Sequence, residues 1–322
     1  MGEEGATSSF SSACKEGTFL EISKSPMFHK IKKDLNLKVA SVVLTTPNFI
    51  LFGLFFLIPA ILGFYYSFTK YDGFIVSDFV GLNNYKTLFQ DRTFLTSLRQ
   101  TIIYALIAPT LSYTFSLMVS VLMTDRDLVG RNFLKALIYI PSLLSPIIVG
   151  ITWRFLFGEN FGYINFLLEK FGLEAVKWSS SGVPAMATIL LAGIWGGLGT
   201  NMILILSRMS AIPKDLYESA ELDGANQFQK FIQITFPMLK PVTFFVMLTS
   251  TIGAFKEFAL VQTLTDGGPG DFTNFFVLYI YKTGFERQRV GYASAASMVL
   301  LVMLLVLSVI QMKFTNGGRI EE

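Results

Sequence analysis

Long stretches of apolar residues without a charged side chain recur along the chain, separated by segments rich in charged and turn-forming residues. A helix that crosses the hydrocarbon core of a bilayer needs about 20 mostly apolar residues. Six stretches predict such helices, at about residues 41–68, 100–124, 134–157, 184–207, 241–264 and 290–312. They are too long and too uniformly apolar for the alternating strands of a membrane β-barrel, so the predicted fold class is all-α integral membrane.

Six crossings place both ends of the chain on one side of the membrane. Lys and Arg are more frequent beside the helix ends on that side, as expected for the cytoplasmic face. We therefore predict a cytoplasmic tail at residues 1–38, a six-helix membrane domain at 39–313 and a second cytoplasmic tail at 314–322. The segment at 25–38 could lie on the membrane surface as an amphipathic helix, and the tail lacks the apolar stretch of a signal peptide.

The composition supports a membrane protein and excludes several other classes. Hydrophobic residues make up 52% of the 322 residues and charged residues only 15%, against roughly 25% charged residues in soluble domains. One Cys and one His exclude a disulfide framework and a Cys/His zinc site. The formal net charge of +3 provides no large basic excess, so no nucleic acid is expected as a partner.

The connection at residues 208–240, on the predicted cytoplasmic side, carries a helical pattern of its own. Apolar residues recur at helical spacing on both sides of Asp223-Gly224, a pair that favours a turn. The pattern predicts a helix–turn–helix hairpin, in which small residues would allow a partner to approach closely. A plain amphipathic connector lying on the membrane would show the same pattern.

This connection resembles the EAA loop of permease subunits from binding-protein-dependent ABC importers, in which Glu-Ala-Ala is followed at fixed spacing by Gly and by Ile-x-Leu-Pro. Here the motif reads Glu218-Ser219-Ala220, Gly224 and Ile234-Thr235-Phe236-Pro237. Every spacing is kept, and Ser219 and Phe236 are the two departures. Outside the first 38 residues, most of the chain is similar to the carbohydrate-uptake type of these permeases, which includes maltose and glycerol-3-phosphate permeases. The resemblance implies the type I ABC importer permease fold.

The resemblance also implies a role and a set of partners. The chain would be a non-catalytic subunit of a bacterial or archaeal cytoplasmic membrane and would form half of the path for a sugar or oligosaccharide. An extracellular binding protein would deliver the substrate, and a second permease subunit, expected to be a different chain, would form the other half of the path. The loop residues that would couple this subunit to its ATPases are Glu218, Ser219, Ala220, Asp223, Gly224, Ala225, Ile234 and Pro237.

ATP hydrolysis is expected to belong to other subunits. The sequence contains no phosphate-binding G-x-x-x-x-G-K-[ST] motif. The resemblance implies that two copies of a cytoplasmic ATPase bind ATP and Mg and dock on the loop. No cofactor is expected in this chain.

Other interpretations remain open at this point. An ion-gradient-driven secondary transporter would show paired discontinuous helices or inverted halves, and the first three and last three spans show no convincing correspondence. An intramembrane enzyme would need a constellation of catalytic side chains, but the one His lies in the amino-terminal tail. Glycerol phosphate or another polar metabolite is the alternative cargo to a sugar.

Polar and aromatic residues within the spans are candidates for the substrate path. Lys256 and Glu257 stand in the middle of the fifth predicted span, where ionisable groups usually face protein or a water-filled interior. An ion pair with a neighbouring subunit and a bend near Gly253 are the alternatives. Four further residues could bind sugar hydroxyls or stack on a pyranose ring: Trp153, Trp195, Asn201 and Gln262.

Two glycine-rich segments complete the candidate features. Trp195 is followed by Gly196, Gly197 and Gly199, which predicts either close helix packing or a locally loosened fourth span. The predicted outer loop at 265–271 is similar to the region that the family uses to contact its binding protein, although a simple turn is the alternative. Its candidate contact residues are Asp266, Gly267, Gly268 and Pro269.

Overall fold

The structure is a computed structural model that describes residues 37–124 and 128–314. Most of the segment predicted to form an amphipathic helix, 25–38, lies outside the described residues. So do residues 125–127 and nearly all of the carboxyl-terminal tail. The chain divides into two units, Met1–Leu62 and Gly63–Glu322.

Helices dominate the described residues, in agreement with the predicted helical fold class. They are α1 Leu37–Phe52, α2 Ile58–Tyr66, α3 Asn83–Leu88, α4 Arg92–Leu122, α5 Arg131–Tyr139, α6 Pro146–Leu156, α7 Tyr163–Lys170, α8 Gly182–Ser210, α9 Lys214–Leu222, α10 Gln227–Lys230, α11 Phe236–Met238, α12 Lys240–Phe255, α13 Ala259–Leu264, α14 Phe276–Tyr281 and α15 Val290–Phe314. π-Helical turns occur at Gly53–Leu57, Phe231–Thr235 and Lys282–Glu286, and a 3-10 turn occurs at Ile140–Leu143. Two short antiparallel strands, β1 Thr69–Tyr71 and β2 Val76–Phe79, pair Thr69 with Phe79.

Four continuous helical segments are long and apolar enough to cross a membrane. They are Val42–Tyr66, Arg92–Leu122, Gly182–Ser210 and Val290–Phe314. Two bent pairs also meet the test when each is taken together: Arg131–Leu143 with Pro146–Leu156, bent by 100°, and Gln227–Met238 with Lys240–Phe255, bent by 63°. The described residues therefore contain four to six candidate spans, and the predicted count of six depends on both bent pairs.

The third predicted span, residues 134–157, is a broken helix and not a straight one. α5 ends at Tyr139, and α6 begins only at Pro146. Pro141 and Pro146 have no N–H to continue the helical ladder, and Pro146 favours the extended conformation of Ser145, at φ −60° and ψ 138°. The 11 residues of α6 extend about 16 Å, which is too short to cross a bilayer alone.

The fifth predicted span, residues 241–264, is also interrupted, and this corrects the placement of its charged pair. α12 ends at Phe255, Lys256 is its C-cap, and Glu257 lies in the turn before α13. The pair is therefore not in the middle of a continuous helix. The Glu257 carboxylate accepts hydrogen bonds of 3.1 Å from the N–H groups of Phe258 and Leu260, and so satisfies donors at the start of α13.

Within Gly63–Glu322, α4, α8 and α12 pack together and share a buried apolar core with α6 and α13. α6 and α13 approach so closely at Gly150 that any side chain there would overlap Thr263. The pair α5 and α6 runs along α8, because Ile138 contacts Gly199 and the ring of Trp153 lies 5.9 Å from that of Trp195.

The connections of this unit collect at two ends. At the hairpin end lie α9, α10 and the carboxyl ends of α4 and α8, where Met123, Met202 and Leu206 form a cluster. At the distal end lie the strands, α3, α7, α14 and the amino ends of α4 and α8. The Tyr279 hydroxyl of α14 donates to Asp91, the residue that caps α4, over 2.7 Å. The two ends therefore carry different groups of connections.

Candidate functional site

A cavity of about 300 Å³ lies where α4, α8 and α12 meet. We call it the central cavity. Its lining residues are Tyr104, Ala108, Pro109, Ser112, Gly193, Ile194, Gly197, Thr200, Asn201, Thr249, Ser250, Gly253, Ala254 and Glu257. Among the described residues, Glu257 is the one charged residue in this lining.

Hydroxyl, amide and carboxylate groups give the central cavity its polar character. The Asn201 side-chain amide donates to the Ser112 hydroxyl over 3.1 Å, which fixes the orientation of both groups between α8 and α4. The Tyr104 hydroxyl stands beside Gly193, where a methyl group would lie 2.7 Å from it. Small residues on α8 thus leave room for the cavity, and polar groups on the neighbouring helices face into it.

The structure separates the two adjacent charged residues of the fifth predicted span. Glu257 lines the central cavity, whereas Lys256 is exposed and does not line it. Lys256 caps the carboxyl end of α12, whereas Glu257 lies in the turn that leads into α13. Of the two, Glu257 has the geometry to meet a substrate.

The remaining predicted path residues lie near the cavity and not in its lining. Trp153 and Trp195 contact each other, and Trp153 also stacks on Phe157 at 5.0 Å with the two rings nearly parallel. The Trp195 side chain is 39% exposed, so part of its ring is free to meet another molecule. Gln262 is half-buried on α13.

Several residues that line the central cavity were not among the sequence-based candidates. They are the polar residues Tyr104, Ser112, Thr200, Thr249 and Ser250. A sequence signal exists: small or polar residues recur every fourth position, as at Gly193, Gly197 and Asn201 on α8. This spacing places them on one face of a helix.

At the hairpin end, α9 and α10 form the predicted helix–turn–helix. Gly224 adopts φ +80°, a conformation that glycine accepts without strain, and the N–H of Ala225 donates to the carbonyl of Ala220. Asn226 and Gln229 then form a capping box at the start of α10, with hydrogen bonds of 2.8 and 2.9 Å. The first helix of the hairpin covers Lys214–Leu222 and ends directly before the Asp223-Gly224 pair that predicted the turn.

Two side-chain contacts hold the two arms of the hairpin together. The buried Lys230 ammonium pairs with the Glu221 carboxylate at 2.6 Å, and the Tyr217 hydroxyl lies 2.8 Å from the Thr235 hydroxyl. Several large apolar side chains of the hairpin remain exposed, above all Leu222 at 91% and Phe228 at 73%. The hairpin is thus internally fixed and presents apolar groups outward.

The residues that the motif assigned to coupling fall into two groups. Those at the turn and on the free face of α9 are exposed: Glu218, Ser219, Asp223 and Gly224. The half-buried ones are Ala220, Ala225, Ile234 and Pro237. The acidic residues therefore face solvent, while Ala220, Ala225, Ile234 and Pro237 are partly covered.

At the distal end, the loop at 265–274 is held in a single arrangement. Asp266 has φ +48°, and the Lys282 ammonium binds both its carboxylate, at 2.9 Å, and its carbonyl oxygen, at 2.7 Å. Gly267 has φ +87° and packs against Asn274, so no other residue fits there easily. The buried Thr273 hydroxyl donates to the carbonyl of Gly268 over 2.6 Å. The segment Asp266–Pro269 is therefore held in place by contacts with Lys282, Asn274 and Thr273.

Two carboxylates at the distal end are kept charged by hydrogen bonds. Donation from the side chains and N–H groups of Ser180 and Ser179, at 2.5 to 2.8 Å, lowers the pKa of Glu159 from its ordinary 4.5 to about 2. Burial raises the pKa of Asp91, but donation from Tyr279 and from backbone N–H groups outweighs burial and leaves that pKa below its ordinary value. Both carboxylates act as anchors for neighbouring loops.

Comparison with known proteins identifies the family. The sequence profile of the family described as "Binding-protein-dependent transport system inner membrane component" matches residues 115–315. The sn-glycerol-3-phosphate transport system permease protein UgpA of Agrobacterium fabrum is 31% identical over 283 residues, which cover 87% of this chain and 95% of that protein. The arabinooligosaccharides transport system permease protein AraP of Bacillus subtilis is 35% identical over 282 residues, 87% of this chain and 90% of that protein.

The fold recurs in solved structures. A chain of a bacterial ABC transporter that imports the acidic polysaccharide alginate superposes with a TM-score of 0.78 at 22% identity, covering 91% of this chain and 99% of that one. The same transporter type in complex with a periplasmic protein bound to an alginate pentasaccharide gives a TM-score of 0.76 at 23% identity. At this identity the likeness establishes the fold alone.

The chain belongs to the family of binding-protein-dependent transport system inner membrane components. It is a membrane permease subunit with several apolar helices, and the family predicted from the EAA loop is confirmed.

Proposed function

We propose that this chain forms half of the translocation path of an ATP-driven importer for a neutral sugar or oligosaccharide. The central cavity carries this proposal. Its lining combines hydroxyl, amide and carboxylate groups, which match the hydroxyls of a sugar, and it lies among three helices at the core of the unit. The relative AraP, named for arabinooligosaccharides, supports a sugar as cargo.

The charge of the cavity favours a neutral substrate over an anionic one. Glu257 is the one charged residue in the lining, and its carboxylate can accept hydrogen bonds from sugar hydroxyls. A phosphate group in the same space would meet this carboxylate without a compensating cation. Relatives named UgpA keep glycerol phosphate as the second candidate, and the experiment below distinguishes the two.

The hairpin supports coupling to ATPase subunits in the cytoplasm. Leu222 and Phe228 expose apolar surface where a partner could bury it, and Glu218 lies on the free face of α9 for a polar contact. The Glu221–Lys230 ion pair and the turn at Gly224 would let the hairpin move as one body. ATP and Mg would bind to two partner ATPases, since this sequence lacks the phosphate-binding motif.

The remaining parts complete the proposed assembly. Both bent pairs would cross the membrane, which gives six spans, cytoplasmic termini and a cytoplasmic hairpin. The distal end would face outward, with Asp266–Pro269 in contact with the substrate-loaded binding protein. A second permease subunit would close the other side of the path.

The test compares two adjacent substitutions in the complete transporter, reconstituted into liposomes with its binding protein. We expect Glu257→Gln to raise the KM for uptake of a neutral oligosaccharide about tenfold, because a charge-assisted hydrogen bond is lost. The amide oxygen of Gln can still accept from Phe258 and Leu260, so the turn before α13 should persist. Lys256→Gln is the matched control, since Lys256 does not line the cavity, and its KM should equal that of the wild type.

Two results would contradict the proposal. Equal KM values for the wild type and Glu257→Gln would mean that the central cavity is not part of the translocation path. Faster uptake of glycerol phosphate by Glu257→Gln, with no uptake of neutral sugars by either protein, would replace the sugar by an anionic cargo.

A further inference from the structure

A second cavity lies at the distal end, where α6 ends and α8 begins. We call it the distal cavity. Its volume is about 230 Å³, and its wall includes Arg154, Phe157, Trp178, Ser179, Thr188 and Asp266. Because Asp266 belongs to the loop proposed to meet the binding protein, the cavity lies at the point where a released substrate would first contact this chain.

The wall of the distal cavity is fixed before any ligand arrives. The indole N–H of Trp178 donates to the Asn165 side chain over 2.8 Å, and Phe157 meets the Trp178 ring edge-on at 4.9 Å. The anchored Glu159 carboxylate holds Ser179 through its N–H at 2.7 Å and its hydroxyl at 2.8 Å. A site built in this way loses little conformational entropy when it binds a ligand.

The side chains of the wall match a neutral sugar ring. Among the described residues, no carboxylate lies within ion-pair distance of the exposed Arg154 guanidinium, so its N–H donors are free for hydroxyl oxygens. The Asp266 carboxylate is 66% exposed and can accept from hydroxyl groups while Lys282 balances its charge. The Trp178 ring offers an aromatic face, on which the apolar face of a pyranose can pack.

A row of aromatic rings leads from the distal cavity toward the central cavity. Trp178 contacts Phe157, Phe157 stacks on Trp153 at 5.0 Å, and Trp153 contacts Trp195 at 5.9 Å. Trp195 directly follows Ile194, which lines the central cavity. Thr188 of the distal cavity and Gly193 of the central cavity are about 8 Å apart along α8, so the two cavities are near neighbours.

We propose that the distal cavity is an outer subsite, which binds one pyranose unit of a neutral oligosaccharide before the central cavity receives it. The inference rests on the proposed function and extends it, because it assigns an entry position to Arg154 and Trp178, to which the sequence pattern gives no role, and a sugar contact to Asp266. Arg154 and Asp266 bind the hydroxyls of the unit, and Trp178 carries its apolar face.

Equilibrium binding tests the subsite directly. The complete transporter in lipid nanodiscs, without its binding protein, is titrated with radiolabelled neutral trisaccharides built from hexoses or pentoses and with a uronate trisaccharide. For the neutral trisaccharide that binds the wild type most tightly, we expect Arg154→Gln to raise the Kd about tenfold and Arg154→Lys to raise it less. Trp178→Leu should weaken binding in the same direction.

The matched control is Arg287→Gln, the same change at an exposed arginine of the distal end that lines neither cavity. Its Kd should equal that of the wild type. If Arg154→Gln binds as the wild type does while Glu257→Gln binds more weakly, the outer subsite is overturned and the proposed function stands. If the uronate trisaccharide binds more tightly than every neutral trisaccharide, the claim that the subsite binds a neutral sugar is overturned. A wild type that binds none of the trisaccharides overturns the outer subsite, whereas the proposed function is decided by the uptake experiment with the binding protein present.

Discussion

Single glycine residues decide how closely the helices of this protein approach one another. On α8, Gly199 is buried against the turn between α5 and α6. A methyl group there would lie 2.6 Å from the carbonyl oxygen of Ile138 and 2.7 Å from the Cα atom of Tyr139. Gly196, three residues earlier, has nothing within 4 Å of the same position. α8 stays helical throughout, so the glycines of this segment do not loosen the helix, and Gly199 serves close packing.

These two glycines allow a matched prediction. Gly199→Ala should destabilise the protein by about 1–3 kcal/mol, because backbone atoms must shift to admit the methyl group. Gly196→Ala should leave stability unchanged or raise it slightly, since alanine is the better helix former. Thermal unfolding of the purified protein in detergent, followed by circular dichroism, measures both. A lower Tm for Gly196→Ala than for Gly199→Ala would contradict this explanation of the packing.

At the scale of whole elements, breaks in helices shape the path. The run of apolar residues at 134–157 predicts one helix, but Pro141 and Pro146 divide it and turn it by 100°. The run at 241–264 also predicts one helix, but it ends at Phe255. The first break could have been anticipated from its prolines. The second break has no proline, although the sequence offered a bend near Gly253 as one interpretation. Packing of α12 and α13 against α4, α6 and α8 surrounds this turn.

The hairpin is the element with the clearest sequence signal, and its turn provides a second prediction. Gly224→Pro should uncouple ATP hydrolysis from uptake, because proline cannot adopt φ +80° and the arms of the hairpin would separate. In the reconstituted transporter, we expect uptake to fall at least tenfold while the ATPase subunits keep a basal activity that no longer responds to the loaded binding protein.

Gly172→Pro is the control for this substitution. Gly172 has φ +76° and nothing within 4 Å of its Cα substituent position, as Gly224 has, but it lies at the distal end. The same backbone disturbance should therefore leave coupling intact there. Normal coupled uptake by Gly224→Pro would show that the hairpin does not transmit force.

At the scale of the molecule, the two ends of the unit Gly63–Glu322 differ: the hairpin lies at one end and the anchored loops lie at the other. These ends lie on opposite sides of a membrane if α4 and α8 cross it, because each of these helices begins at the distal end and ends at the hairpin end. Phe161, which is 98% exposed at the distal end, and Leu222, which is 91% exposed on the hairpin, are suitable reporters. The sequence contains one native cysteine, Cys14, so a cysteine-free background needs a single change.

The third prediction follows from these reporters. In the Cys14→Ser background, Phe161→Cys should react with a membrane-impermeant maleimide added outside intact cells, and Leu222→Cys should react only in inverted vesicles. The six-span topology requires this result, because the two residues would be separated by one crossing. Labelling of both cysteines from the same side would contradict a crossing by α8. Labelling with the two sides exchanged would contradict the six-span topology with cytoplasmic termini.

The sequence by itself determined the class of this protein. Long uncharged apolar runs identify its membrane helices, because a charged group is too costly in hydrocarbon, and the spacing from Glu218 to Pro237 identifies its family. Such signals depend only on residues close together in the sequence, so they can be recognised without the positions of the packed helices.

Only the tertiary structure decided where these helices break and which side chains meet. It placed Glu257 in the central cavity and Lys256 outside it, and it brought Arg154, Trp178 and Asp266 together from three distant parts of the chain. The reason is that cavities form between elements. Their lining depends on how closely the helices pack. Residues such as Gly150 and Gly199 determine this distance, but only in contact with the residues that pack against them.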